Sequence, residues 1–195
     1  KIIDCDLNIG ISSMVLYELM MMKKMKWLGM YQIKDYFISH DKTLQVNIVS
    51  DYYPNNLLNY IIENDIDTIK ANQIFIRLLH SISYLESFGY YHGDLSSKNI
   101  MLNPDLTPVI IDFASSRKFR RLPVNLPTMD VRPIEMLTLS CIESSKIDIW
   151  SLGCLFYMML SRDAIADGVS EEECAKSIRE IFGSNSSSVA SKVNY

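Results

Sequence analysis

His92-Gly93-Asp94-Leu95-Ser96-Ser97-Lys98-Asn99 is followed, thirteen residues after Asn99, by Asp112-Phe113-Ala114, with the apolar run Val109-Ile110-Ile111 directly before Asp112. Residues 99–102 and 109–111 are short apolar runs split by Asn103-Pro104-Asp105, a pattern that predicts a β-hairpin. Such a hairpin can bring Asp94, Asn99 and Asp112 to one edge. Two carboxylates and an amide there suit magnesium, which takes oxygen ligands and leaves positions for substrate phosphates. Phosphoryl transfer needs that set, plus a carboxylate to orient the attacking hydroxyl. Taken alone, the same residue types also serve as turn and cap residues.

Working outward, residues 67–88 predict a helix, because Ile69, Ile74, Leu78, Ile82 and Leu85 recur at spacings of three to five and Gly89 stops it. That apolar stripe should face a core. Residues 12–26, capped by Ser12 or Ser13 and ended by Gly29, predict another helix. Segments 32–39 and 44–51 are β-type around His40-Asp41-Lys42, and 51–56 reads as a connector. Residues 117–130, with Arg117, Lys118, Arg120 and Arg121, read as a long ordered loop, and such loops are usually functional. Residues 148–160 are apolar nearly all round and predict a buried central helix; the serine-rich stretch 184–191 reads as frayed.

The 195 residues suffice for one substantial core, and 48% hydrophobic with 22% charged residues is ordinary globular composition. The net charge of −4 offers no general field for nucleic acid or an anionic membrane, so neither is expected as a partner. No apolar stretch approaches the roughly 20 residues that span a bilayer. Cys5, Cys141, Cys154 and Cys174 form no CxxC pair, which points to a reducing compartment inside the cell, cytoplasm or nucleus. The chain opens at Lys1 without a secretory signal, and we expect a fragment of a longer protein.

The ordered motifs identify a family. The string 92–99 resembles the catalytic loop H-R-D-x-K-x-x-N of protein kinases, Asp112-Phe113-Ala114 resembles D-F-G, and Arg132-Pro133-Ile134-Glu135 resembles R-A-P-E. Asp148-Ile149-Trp150-Ser151-Leu152-Gly153-Cys154 resembles the start of that family's central helix. Arg132 and the stretch 167–183 are similar to the cyclin-dependent kinase branch, which often phosphorylates serine or threonine before proline. The resemblance implies an α+β, bilobal protein kinase-like fold: a partial, β-rich N-lobe over residues 1–51 and a mostly helical C-lobe over 52–195 that lacks its last helices. It also implies ATP and Mg2+ as cofactors and a protein substrate.

Carried over position by position, Asp94 would orient the substrate hydroxyl, while Asn99 and Asp112 would hold magnesium. Lys1 and Glu18 would form the ion pair that anchors ATP. Ser50 falls at the gatekeeper position and Asp51, Tyr52 and Tyr53 at the hinge that meets adenine. A serine at that position should leave the pocket behind adenine open. Thr128 matches the threonine beside the catalytic aspartate of serine/threonine kinases, so we expect serine/threonine transfer. The helix around Glu18 is where a regulatory protein would bind, but residues 12–18 share little with the cyclin-contacting signature, which argues against a cyclin.

Three positions depart from the pattern. Gly93 replaces the arginine that pairs with a phosphorylated activation loop, so activity should not depend on phosphorylation within 117–130. Ser96 replaces the lysine that neutralises the transferred group; Lys98, two residues on, is the expected substitute. Ala114 replaces the D-F-G glycine, which an allowed backbone conformation permits. These departures leave a second reading, a pseudokinase acting as a binding or scaffolding module. A small-molecule phosphotransferase is a weaker third, opposed by the 132–135 and 148–154 motifs. His92, Phe113, Asp148 and Trp150 are expected to be scaffold.

Overall fold

A computed structural model describes residues 1–5, 10–40, 43–119, 127–137 and 146–183. Asp41, Lys42, Arg120, Arg121, Cys141 and the stretch 184–191, all part of the expectations above, lie outside the described residues.

The N-terminal sheet has strands β1 (Ile2–Cys5), β2 (Ile33–His40) and β3 (Leu44–Ser50), antiparallel in the order β1-β3-β2. Helix α1 (Ser13–Lys24) packs with it, and the Ser12 hydroxyl accepts from Val15 N at 3.3 Å to cap its start. Val15, Glu18, Leu19 and Met22, spaced by three and four, turn to the interior, as one helical face must.

Beyond Ser50 come β4 (Asn55–Asn56), α2 (Leu57–Glu63) and the long helix α3 (Thr68–Ser87). Asp67 caps α3 by accepting from Lys70 N at 2.8 Å, and the carboxylate bonded to a helix N-terminus is the ordinary arrangement. Ile74, Leu78, Ile82 and Leu85 are buried as expected. Ile69 is not: it is 70% exposed, because in the first turn the stripe drifts off the packed face. Helix α2 covers residues 57–63, for which no element was expected, and the connector expected over 51–56 closes with the two-residue strand β4. Asn56 ends the short strand and caps α2 through Asn59 N at 2.8 Å, and seven residues are too few to show a period.

The expected second hairpin is β6 (Ile100–Leu102) against β7 (Pro108–Ile110), joined by β4 on the other edge of β6. Tyr31 N donates to Ile110 O and Ile110 N to Gly29 O, both at 2.9 Å, which ties this hairpin to the segment before β2. Gly29 does not end α1, which stops at Met25. A Cβ on Gly29 would lie 1.9 Å from Ser81 Oγ of α3, so only glycine lets this segment approach so closely.

Arg117 and Lys118 form β8 (Arg117–Lys118), paired antiparallel with β5 (Tyr90–Tyr91), and are not loop as expected. The paired residues lie 26 and 28 positions apart, which leaves no local sequence signal. The C-terminal part holds α4 (Ile134–Leu137), α5 (Lys146–Ser161) and α6 (Glu171–Phe182). Helix α5 packs on α3 through Phe75 and Phe156, ring centroids 4.6 Å apart. It buries Ile147, Ser151, Leu155 and Met158 on one side, while Ile149 and Leu160 are exposed, so it is not buried all round. The class is α+β as expected, with the larger sheet near the N-terminus and helices dominating afterwards. No helix among the described residues is long and apolar enough to cross a membrane.

Candidate functional site

The backbone of the 92–99 loop is held from beneath by Asp148. This carboxylate, wholly buried at the start of α5, accepts from His92 N at 2.6 Å and from Gly93 N at 2.9 Å. Burial pushes its pKa up, and the two N–H donors with the nearby imidazole pull the other way. His92, also buried, accepts from Asp94 N at Nδ1 (3.3 Å) and places Nε2 3.0 Å from Ile111 O, a pattern that fits the neutral ring with its proton on Nε2. One imidazole thus links the residue before Asp112 to the backbone of Asp94. Gly93 sits at φ +82°, and a Cβ there would meet Ser115 O at 2.9 Å. Glycine satisfies this turn without strain, at the expense of the guanidinium.

On this platform the predicted residues converge. Asp94 Oδ1 accepts from Thr128 N at 2.8 Å and from Thr128 Oγ1 at 2.6 Å. Asn99 Nδ2 donates to Asp94 O at 2.9 Å and to Asp94 Oδ2 at 3.3 Å. With its amide nitrogen so engaged, Asn99 keeps its oxygen as the atom able to meet a cation. Ile111 N donates to Asn99 O at 2.9 Å, which sets Asp112 beside that amide. Asp112 occupies the left-handed region (φ 64°, ψ 76°), a strained conformation that aspartate tolerates and that clusters at functional sites. Ala114 N bonds back to Asp112 Oδ1 at 3.3 Å, and the chain runs on as a 3-10 turn. Ala114 is not among the residues with positive φ, which is why a glycine is not needed there. The oxygen donors of Asn99 and Asp112 fit magnesium.

Two expected participants behave differently. Ser96 is buried and caps the turn 97–99 without a side-chain hydrogen bond, so it offers no charge. Lys98 is exposed on that turn and its ammonium makes no hydrogen bond among the described residues. Its charge is felt by Asp130, a carboxyl whose pKa burial raises and Lys98 opposes.

The N-terminal residues meet the same region. Lys1 Nζ lies 2.5 Å from Glu18 Oε1, and Glu18 is buried, so the ion pair satisfies a carboxylate that would otherwise be stranded. A cavity of about 350 Å³ lies between Lys1, Ser50, Tyr53, Ile111 and Asp112. Asp51 on its rim pairs with Lys34.

Serine at position 50 does not leave this cavity open at the back. Tyr31, 9% exposed, fills the space, its hydroxyl 2.6 Å from Ser50 Oγ and its ring 6.3 Å from that of Tyr53. Ser50 Oγ also lies 2.9 Å from Asp51 O. Each hydroxyl has one proton, so both contacts are satisfied when Tyr31 donates to Ser50 and Ser50 donates to Asp51. Nothing local to Tyr31 marks it, because its role depends on the Ile110 bonds that pin its backbone.

Arg132, 8% exposed, donates twice to Pro127 O, from Nε at 2.9 Å and Nη2 at 2.7 Å, and Nη1 pairs with Glu171 at 2.6 Å. Glu171, in the first turn of α6, is a partner that sequence alone does not reveal. Outside the cavity, a groove of about 460 Å³ runs along α1 between Leu16, Met20, Lys24 and Tyr36.

The protein kinase domain family matches residues 2–194. A protein of Acanthamoeba polyphaga mimivirus, named as a candidate serine/threonine-protein kinase, is 32% identical over 149 residues, 73% of this chain and 27% of its own length. One of Encephalitozoon cuniculi, named as a candidate CTD kinase subunit alpha homolog, is 31% identical over 129 residues, 65% of this chain and 39% of its own. The chain therefore spans about a quarter to two fifths of these curated relatives. A crystal structure of the yeast RNA Pol II CTD kinase CTDK-1 complex superposes with a TM-score of 0.81 at 23% identity, over 91% of this chain and 60% of the other.

Proposed function

Because this chain belongs to the protein kinase domain family, we propose that its full-length protein transfers the γ-phosphoryl group of ATP to serine or threonine hydroxyls of a protein substrate. The observation that carries this reading is the Asp94, Asn99 and Thr128 cluster with Asp112 beside it. Asp94 accepts the proton of the attacking hydroxyl, and Thr128 and Asn99 hold its carboxylate in place. Asn99 and Asp112 would hold magnesium, which when bound draws charge from the phosphate oxygens. Lys1, kept in place by Glu18, meets the nucleotide phosphates; Lys98 supplies the charge that Ser96 cannot. Residues 1–51 and 52–195 are the two lobes of this reading, with Ser50, Asp51 and Tyr53 facing adenine.

Arg132 supports the preference for proline after the phosphorylated residue. Pro127 O already accepts two bonds from the guanidinium, so a substrate N–H arriving there finds no acceptor, and proline has no N–H to satisfy. The apolar groove on α1, flanked by lysine, is where a regulatory protein would dock. The Encephalitozoon cuniculi relative, named for a CTD kinase subunit, makes a CTD substrate the first to try.

The test is to incubate the full-length protein with labelled ATP, magnesium and Ser-Pro, Thr-Pro and tyrosine peptides. Label on serine and threonine is expected, with tyrosine blank. Nucleotide binding without transfer to any peptide would replace this reading with the pseudokinase, which Ser96 and Gly93 favour.

Tyr31 gives a prediction about the nucleotide. ADP carrying an N6-benzyl group should bind the parent protein at least about tenfold more weakly than ADP, since each 1.4 kcal/mol is tenfold and a buried ring is worth that much. Tyr31→Val should bring the two within about threefold, as read by calorimetric titration. Equal affinities in the parent protein would show that Tyr31 does not close the cavity.

A further inference from the structure

Glu18 meets Lys1 only while α1 stays against the rest of the chain, so the contacts of α1 with the segment after Asp112 bear directly on the ion pair. The residue before Glu18 is Tyr17, and the guanidinium carbon of Arg117 lies 5.0 Å from the centre of its ring. Arg117 opens β8 opposite Tyr91, and its Nη1 donates to Ala114 O at 2.9 Å and Ser116 O at 2.6 Å. The guanidinium is thereby fixed by the turn that carries Asp112 and lies against the ring on α1. Fixed in this way, it loses little freedom in making the contact.

A second tie lies two turns along the same helical face. Lys24 Nζ sits 4.5 Å above the ring of Tyr90 and 3.4 Å from its hydroxyl, and Tyr90 pairs with Lys118 across β5 and β8. Both ties join a cation to an aromatic face, and neither includes an acidic group or needs a phosphate. Gly93 has no charged side chain to offer a phosphate.

We propose that Tyr17 and Arg117 are positioning residues that hold α1, and with it the Lys1–Glu18 pair, through a cation–π contact, so that no phosphate is needed in the segment after Asp112 to order the site. This rests on the kinase reading above, and it extends that reading to regulation. Burial raises the pKa of the Tyr17 hydroxyl, and the Arg117 guanidinium, which also reaches that hydroxyl, lowers it, so Tyr17→Phe separates this bond from the ring face on which the scheme rests.

The experiment compares the full-length protein, Tyr17→Phe, Tyr17→Leu and Arg117→Gln after treatment with a protein phosphatase. Hydrogen exchange is read at the amides of residues 15–24, and KM is read for ATP and for peptide. Phosphatase treatment should change nothing in the parent protein. Tyr17→Phe should behave as the parent. Tyr17→Leu and Arg117→Gln should each raise exchange in α1 and KM for ATP about tenfold, with KM for peptide within about twofold. Loss of activity on dephosphorylation, equal damage from Tyr17→Phe and Tyr17→Leu, or parent-like exchange in the leucine variant would each overturn the proposal. Should Tyr17→Leu fail to fold, Arg117→Gln carries the comparison alone. If no variant transfers phosphate, the dissociation constant of ATP replaces KM: the kinase reading then fails, while an unchanged pattern of exchange and ATP affinity keeps the bridge.

Discussion

On the proposed kinase reading, Asp94→Asn is expected to lower the kcat of transfer by the full-length protein roughly 10² to 10⁴-fold, with little change in the unfolding temperature. The substitution preserves shape. An amide oxygen can still accept from Thr128 N and Oγ1, which meet Asp94 Oδ1 at 2.8 and 2.6 Å. The other oxygen becomes an NH2 that faces Asn99 Nδ2, 3.3 Å away in the parent, a mild mismatch at a part-buried position. What is lost is the carboxylate that, in this reading, would take the proton of the substrate hydroxyl. Single-turnover transfer of labelled phosphate measures the effect, and circular dichroism against temperature checks the fold. A variant that keeps more than about a tenth of the parent rate would remove Asp94 from the role of base.

Asp148→Ala unfolds more readily, and no other single substitution considered should cost as much stability. Its two oxygens are the acceptors of His92 N and Gly93 N, and the site is closed to water. Alanine leaves both donors buried and unpaired, a penalty of about 1–3 kcal/mol each, or about 3 kcal/mol together on a conservative count. For a chain of this size that is a fall in Tm of roughly 6–12 °C. Asparagine should recover only part, since its NH2 must face one of the two donors. Activity should fall as well, because the same loop carries Asp94. Urea unfolding midpoints decide the matter: a shift smaller than about 1 kcal/mol would mean that another group or a water takes over both donors.

The parts of the fold legible in advance are those whose information is local. The apolar residues from Ile74 to Leu85 lie within one helix and Gly89 just past its end, so period and stop mark α3 without reference to anything else. The hairpin of β6 and β7 is announced by Asn103-Pro104-Asp105 in the same way. Gly29 shows the opposite case. Its spacing suggested a helix stop, whereas its contact is with Ser81, 52 residues away, which no local pattern encodes. Strand β8 was hidden for the same reason: two residues have no period, and their partners Tyr90 and Tyr91 lie 26 to 28 residues back along the chain.

At the candidate site, residue types and spacing pointed to Asp94, Asn99 and Asp112, and the resemblance to protein kinases added Thr128, Lys1 and Glu18, because the chain order of the motifs is itself information. Sequence also marked Gly93 and Ser96 as departures. Only the tertiary structure shows what shapes the cavity and what meets α1. Tyr31 fills the space that Ser50 leaves, and Arg117 reaches Tyr17 from the far side of the fold. Asp148 carries the catalytic loop from 55 residues downstream. These contacts depend on packing between distant elements, and a side chain's neighbours across such distances are set by how those elements stack, not by the residues beside it in the chain.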